Sequence, residues 1–208
     1  LEERAAAGKL SVAARTALAG MLRSHPDVTR RLRALWALHA TGGLDEGLVL
    51  ELLGGADAFI QGWTVRLELE DGTARRDIFE KIERLAATSS APPVRLDLAS
   101  ALQRLPLERR WGIAEGLAAR AEDAADLYLP LMIWYGIEPL VPADPVRAAK
   151  LLETARIPLV RQHIARHHDL TGANDRLLVV AGALVTALEL HHRVDVRHFG
   201  ALARVRTH

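Results

Sequence analysis

The 208-residue chain has no cysteine, few aromatic side chains (4 per cent) and no dominant sign of charge. Without cysteine it holds no disulfide, thiolate nucleophile, zinc–thiolate site, iron–sulfur cluster or c-type haem attachment. Lys plus Arg number 27 against 26 acids, a formal +1. That balance gives no bulk attraction to nucleic acid or to an anionic membrane. No uncharged run exceeds 12 residues, and Leu127–Ile137 and Leu177–Leu188 are among the longest, at 11 and 12. A bilayer-spanning helix needs about 20, so no membrane insertion is expected. The chain opens on Leu1 without a signal-peptide pattern, and is expected to be an excerpt of a longer protein.

Half of the residues are hydrophobic and a quarter charged, with 35 Ala and 35 Leu. This composition excludes global disorder and favours helix. The helices repeat. Arg31 and Arg95 are each followed six and seven residues later by Ala and Leu, within apolar residues at helical spacing. Related segments place Gln61, Pro130, Arg161 and Arg197 at the same register position, with gaps of 30 to 36 residues. A period of about 33 belongs to helix-pair repeats.

Amphipathic stretches fall between these segments: Ser11–Ser24, Leu44–Leu53, Arg75–Ala87, Leu107–Ala121, Pro145–Ala155 and Asp175–Leu190. Pro and Gly punctuate the joins, as at His25-Pro26-Asp27, Thr41-Gly42-Gly43 and Gly54-Gly55. Asp27, Asp57, Asp126 and Asp144 stand where helix N-terminal amides need acceptors. The expected fold is all-α: a right-handed HEAT-like α-solenoid of about six antiparallel helix pairs, one module over residues 1–208. Thr64–Glu70 alternates polar and apolar residues before Asp71-Gly72, which resembles a hairpin. The repeat register places it on a helix, and no partner strand is evident.

Ala34–Leu44, Leu129–Leu140 and Ile157–Arg166 resemble the HEAT-repeat region of a planctomycete and verrucomicrobial family. Its members are called membrane-bound dehydrogenase or PVC-type haem-binding proteins. The resemblance covers roughly 31–168. It implies a sugar-dehydrogenase-like β-propeller before this region, a cytochrome c domain after it, and a periplasmic or cell-surface location. The chain lacks Cys-x-x-Cys-His, so haem c belongs to the parent protein by resemblance only, and no cofactor is expected in this segment.

Several constellations carry potential chemistry. His163 and His167 are four apart, so both imidazoles share a helix face and could hold one metal ion. Ile164 stands where a metalloprotease motif has its Glu, and further ligands would have to come from Asp169, His191 or His192. The plainer reading is a core-edge helix without metal, whose folding survives loss of both histidines. His191, His192, Asp195 and His198 form a second cluster, with no nucleophile placed beside it.

Arg31, Arg95, Arg161 and Arg197 recur in register. They either line a face that grips anions or stitch successive repeats to acids such as Asp27 and Asp195; strict recurrence favours the stitch. Trp36, Trp63, Trp111, Trp134 and Tyr135 raise the question of a HEAT-like DNA glycosylase. The basic pairs Arg30-Arg31, Arg75-Arg76 and Arg109-Arg110 are scattered, however, and the tryptophans read as packing. Leu127–Tyr135 reads as a central helix packed on both sides, or as a docking surface if exposed.

No catalytic, cofactor-binding or metal-ligating residue is assigned. The expectation is a non-enzymatic, monomeric scaffold or docking module that contacts neighbouring domains or another protein, not nucleic acid. The alternative is a HEAT-like DNA-binding protein or glycosylase.

Overall fold

The computed structural model describes residues 11–170, and every regular element among them is helical. The helices are α1 (Val12–Ser24), α2 (Val28–Ala40), α3 (Glu46–Leu53), α4 (Ala58–Glu68), α5 (Arg76–Thr88) and α6 (Pro92–Leu102). They continue as α7 (Leu107–Ala118), a 3-10 turn (Ala121–Ala125), α8 (Leu129–Ile137), the short α9 (Leu140–Ala143), α10 (Pro145–Thr154) and α11 (Pro158–Leu170). No helix among them is long and apolar enough to cross a membrane. The segments Asp175–Leu190 and Val196–Phe199, expected to form a sixth pair, lie outside the described residues.

Local chemistry explains the helix ends. Asp27, Asp57 and Asp144 accept hydrogen bonds from the first-turn amides of α2, α4 and α10. Asp126 receives the amides of Tyr128 and Leu129 at 2.8 and 2.9 Å. Ser11 and Asp45 cap α1 and α3 in the same way. Pro130 occupies the first turn of α8, where its missing N–H costs nothing. The alternating Thr64–Glu70 stretch is helical through Glu68, and the Thr64 hydroxyl donates to the Ile60 carbonyl at 2.7 Å. Gly72 then turns the chain with φ of +77°, a conformation that favours glycine. Asp71-Gly72 therefore ends a helix; it does not join strands.

The helices pack in two rows. Helices α2, α4, α6, α8 and α11 lie side by side in the second row, each against its predecessor. In the first row α3, α5, α7 and α10 succeed one another, and α1 joins through the cluster of Leu22, Leu48 and Leu52. Each first-row helix also packs on the second-row helix that follows it. Positions three and four after each register residue face inward: Ala34/Leu35, Thr64/Val65, Leu98/Ala99, Ile133/Trp134 and Ile164/Ala165 are all buried. Every pair therefore buries its apolar side only because a neighbouring pair lies against it. Two glycines let neighbouring helices within a row come close. A Cβ on Gly116 would stand 2.9 Å from the backbone of Ala86, and one on Gly136 would stand 2.5 Å from Leu102 Cβ.

The register arginines tie consecutive pairs together, but not to the acid nearest in sequence. Arg31 Nη1 donates to Asp57 Oδ2 at 2.9 Å, and its Nε donates to the Leu22 carbonyl at 2.8 Å. Asp27 instead binds the Thr29 amide and hydroxyl of its own helix. Arg95 makes a two-pronged bond to Asp123, at 2.6 and 2.5 Å, and a third to the Ser89 carbonyl at 3.0 Å. Gln61 takes the carbonyl-capping half of the role, on Leu53 at 2.7 Å. Arg31, Gln61 and Arg95 thus each satisfy the end of the preceding first-row helix, and the two arginines also reach forward to an acid in the next turn. Arg161 has its Nε buried without a hydrogen bond, and Arg197 and Asp195 lie outside the described residues.

The Arg95 and Asp123 side chains are each only 3% exposed. Breaking a buried pair from one side leaves an uncompensated charge. Asp123→Ala is expected to cost about 3–5 kcal/mol in chemical denaturation. Glu80→Ala, which breaks the exposed Arg76–Glu80 pair, is expected to cost less than about 1 kcal/mol. Similar losses from both variants would contradict the stitch.

Candidate functional site

The two rows differ in what they show to solvent. Among exposed large hydrophobic residues, Val12, Leu107 and Val146 lie at the N-terminal ends of first-row helices. The others are Trp36, Phe59, Leu96, Leu127, Tyr128, Leu131 and Tyr135, all on second-row helices or the turn entering α8. A surface that gathers its apolar and aromatic side chains on one side has the composition of an interaction face.

Within this face the aromatic residues form two nodes. At the first, the rings of Trp36 and Trp63 meet edge to face, 4.9 Å between centroids at 70°. The Arg66 guanidinium lies over Trp63 at 4.9 Å. Asp97, from the next second-row helix, rests its carboxylate against Gly62, where any Cβ would collide with it. Burial raises the pKa of Asp97, and Arg66 and Arg104 oppose that rise. Glu68, half-buried at the end of α4, is also raised by burial, against the influence of His39. His39 itself lies 3.0 Å from Glu70.

The second node joins α8 to α11. Trp134 is buried, and the His163 ring stacks on it at 5.1 Å and 17°. His167 tilts against the same indole at 5.8 Å, with Nε2 4.0 Å from Glu138 Oε1 and a buried Nδ1 that makes no hydrogen bond. The two imidazoles that share a face on sequence grounds therefore both meet a tryptophan. Among the described residues no group of three or more His, Asp or Glu is arranged to hold a metal ion. The Asp169 side chain and the cluster of His191, His192, Asp195 and His198 lie outside them.

The tryptophans do not share one role. Trp134 and Trp111 are buried, and Arg147 lies over Trp111 at 4.8 Å. Trp36 is exposed, so packing accounts for only part of its surface. The segment Leu127–Tyr135 is likewise divided. Leu129, Pro130, Ile133 and Trp134 face the core, while Leu127, Tyr128, Leu131 and Tyr135 face out.

The basic pairs form no continuous groove. Arg31 bonds Asp57, Arg75 reaches Glu46 at 2.9 Å, and Arg76 reaches Glu80 at 2.9 Å. Arg109 lies over Phe79, and Arg110 donates to the Leu105 and Gly136 carbonyls. Arg31, Arg75 and Arg109 join successive helix pairs, whereas Arg76 pairs within its own helix. The sequence did not single out Phe59, Leu96 or Asp97 as site residues, and it marked Tyr128 only within the run Leu127–Tyr135, because nothing in their spacing distinguishes an outward position from an inward one.

Replacing both His163 and His167 by Ala is expected to uncover Trp134. The structure therefore revises the expectation of unaffected folding to a loss of about 1–2 kcal/mol, the scale of stacked aromatic pairs. Tryptophan emission should also shift to longer wavelength. Unchanged emission and unchanged stability would contradict the stacking.

No family model, curated protein or solved structure matches the chain.

Proposed function

We propose that this chain is a non-enzymatic HEAT-like scaffold or docking module, a solenoid of about six helix pairs that presents its second-row face to a protein partner. The observation that carries this reading is the gathering of exposed aromatic and apolar side chains on one row. Engagement of Arg31, Arg75, Arg95 and Arg109 in contacts between helix pairs supports a protein partner over a polyanion. By the resemblance of Ala34–Leu44, Leu129–Leu140 and Ile157–Arg166, the module stands between a dehydrogenase-like β-propeller and a cytochrome c domain. In that setting it would set the separation of the two and act as a monomeric part of a periplasmic or cell-surface redox protein. Haem c would reside in the cytochrome domain.

One observation favours the enzymatic alternative, a HEAT-like DNA glycosylase. Asp97 is a half-buried carboxylate beside the node that contains Trp63 and Arg66, a combination that base excision uses. Salt-dependent DNA binding and base release by the purified chain, both abolished by Asp97→Asn, would establish that reading over the scaffold.

Reading the coding sequence on either side of this segment tests the scaffold's context. Propeller repeats upstream and Cys-x-x-Cys-His downstream are expected. An unrelated catalytic domain on both sides would contradict the redox setting.

A further inference from the structure

Across the middle three helix pairs, the second row carries an apolar stripe at right angles to its helices. Phe59, Pro93 and Tyr128 stand two residues before register positions 61, 95 and 130, and Leu96 and Leu131 stand one after. Residues three apart share a helix face, so α4, α6 and α8 each contribute one step of the stripe. These steps are open to solvent: Phe59 is 58% exposed, Leu96 40%, Tyr128 68% and Leu131 37%. Along the stripe and its edge the acidic group is Asp97, flanked in register by Trp63 and Met132. The cations near it are Arg66, which lies over Trp63, and Arg104, and both oppose the effect of burial on its carboxyl. Its carboxylate is half-buried against Gly62, and burial disfavours its charged form. No hydrogen bond reaches it among the described residues. A partner that supplies a cation there would restore what burial removes.

The spacing of the steps selects the shape of the occupant. Helices packed in a layer stand about 8–10 Å apart. A crossing α-helix turns every 5.4 Å or so, and a β-strand returns to one face about every 6.6 Å. A polyproline-II segment returns to the same face after three residues, about 9.3 Å, which matches the layer. It also arrives extended and low in conformational entropy, and it favours aromatic-lined surfaces.

We propose that this stripe binds a proline-rich, extended segment of a partner protein, with an apolar side chain at every third position and one Lys or Arg over Asp97. This inference rests on the docking reading and specifies its partner.

Isothermal titration calorimetry on the whole chain tests it with three blocked synthetic peptides in a proline–alanine background. The first has Leu at every third position and one central Arg. The second has the same composition with Leu at every second position. The third replaces Arg with Gln. Saturable binding of the first peptide is expected, with affinity about tenfold weaker for the second. The double variant Tyr128→Ser/Leu131→Ser should weaken the first peptide about tenfold, whereas Leu107→Ser on the first row should leave it unchanged. Asp97→Asn, which preserves shape, should erase the preference for Arg over Gln. That preference should also fade as pH drops through the raised pKa of Asp97, since protonation removes its charge.

Equal binding of the in-phase and out-of-phase peptides would overturn the proposal, as would binding insensitive to both the Tyr128/Leu131 and Asp97 variants. If neither peptide binds, the proposed occupant is wrong, and sedimentation then separates the two levels. A dimer dissolved by Tyr128→Ser/Leu131→Ser would keep the docking face with a second copy as its occupant. A monomer unaffected by those changes would count against the docking reading as well.

Discussion

Each helix pair in this protein has an apolar side that it cannot cover by itself, and the next pair along must cover it. That constraint fixes the order of packing: a helix meets not only its sequence neighbour but also the next helix in its own row. Burial alone would let such layers slide, because apolar contact has no preferred direction. The register side chains supply direction. Arg31 and Arg95 each hold the end of one first-row helix while reaching an acid in the following turn. Gly116 and Gly136 let neighbouring helices in a row approach closely. Direction and closeness together make the stack one continuous body over the described residues.

A stack built this way divides its labour between rows. Charged residues on the first row pair across it, as Arg147 does with Glu115 and Arg75 with Glu46. The second row is left with aromatic and aliphatic side chains that no intramolecular partner covers. Helices in a layer repeat at nearly constant spacing, so their outward residues form a ruler. The proposed partner is read from that ruler and from one half-buried carboxylate.

Much of the fold was legible in the amino-acid order, because the period of helix pairs and the Pro, Gly and Asp punctuation are local signals. Asp27, Asp57 and Asp144 were recognisable as caps from their place before apolar runs. The register of Arg31, Arg95 and Arg161 was legible too, but the partner of Arg31 was not: Asp27 is nearest in sequence, whereas stacking brings Asp57 within reach. The candidate face was harder to see. An uncharged run such as Leu127–Ile137 reads as buried throughout, yet its Tyr128, Leu131 and Tyr135 side chains point to solvent. Spacing reveals that a helix has faces; only the packed neighbours reveal which face stays open. His163 and His167 show the same limit, since helical spacing brought them together but could not show that both cover Trp134.

Amide hydrogen exchange, compared between the chain alone and the chain with a bound protein partner, tests the division of the rows most directly. The account predicts added protection in α4, α6 and α8, with α5 and α7 exchanging alike in both settings. Protection that falls instead on α5 and α7, or on neither row, would contradict it.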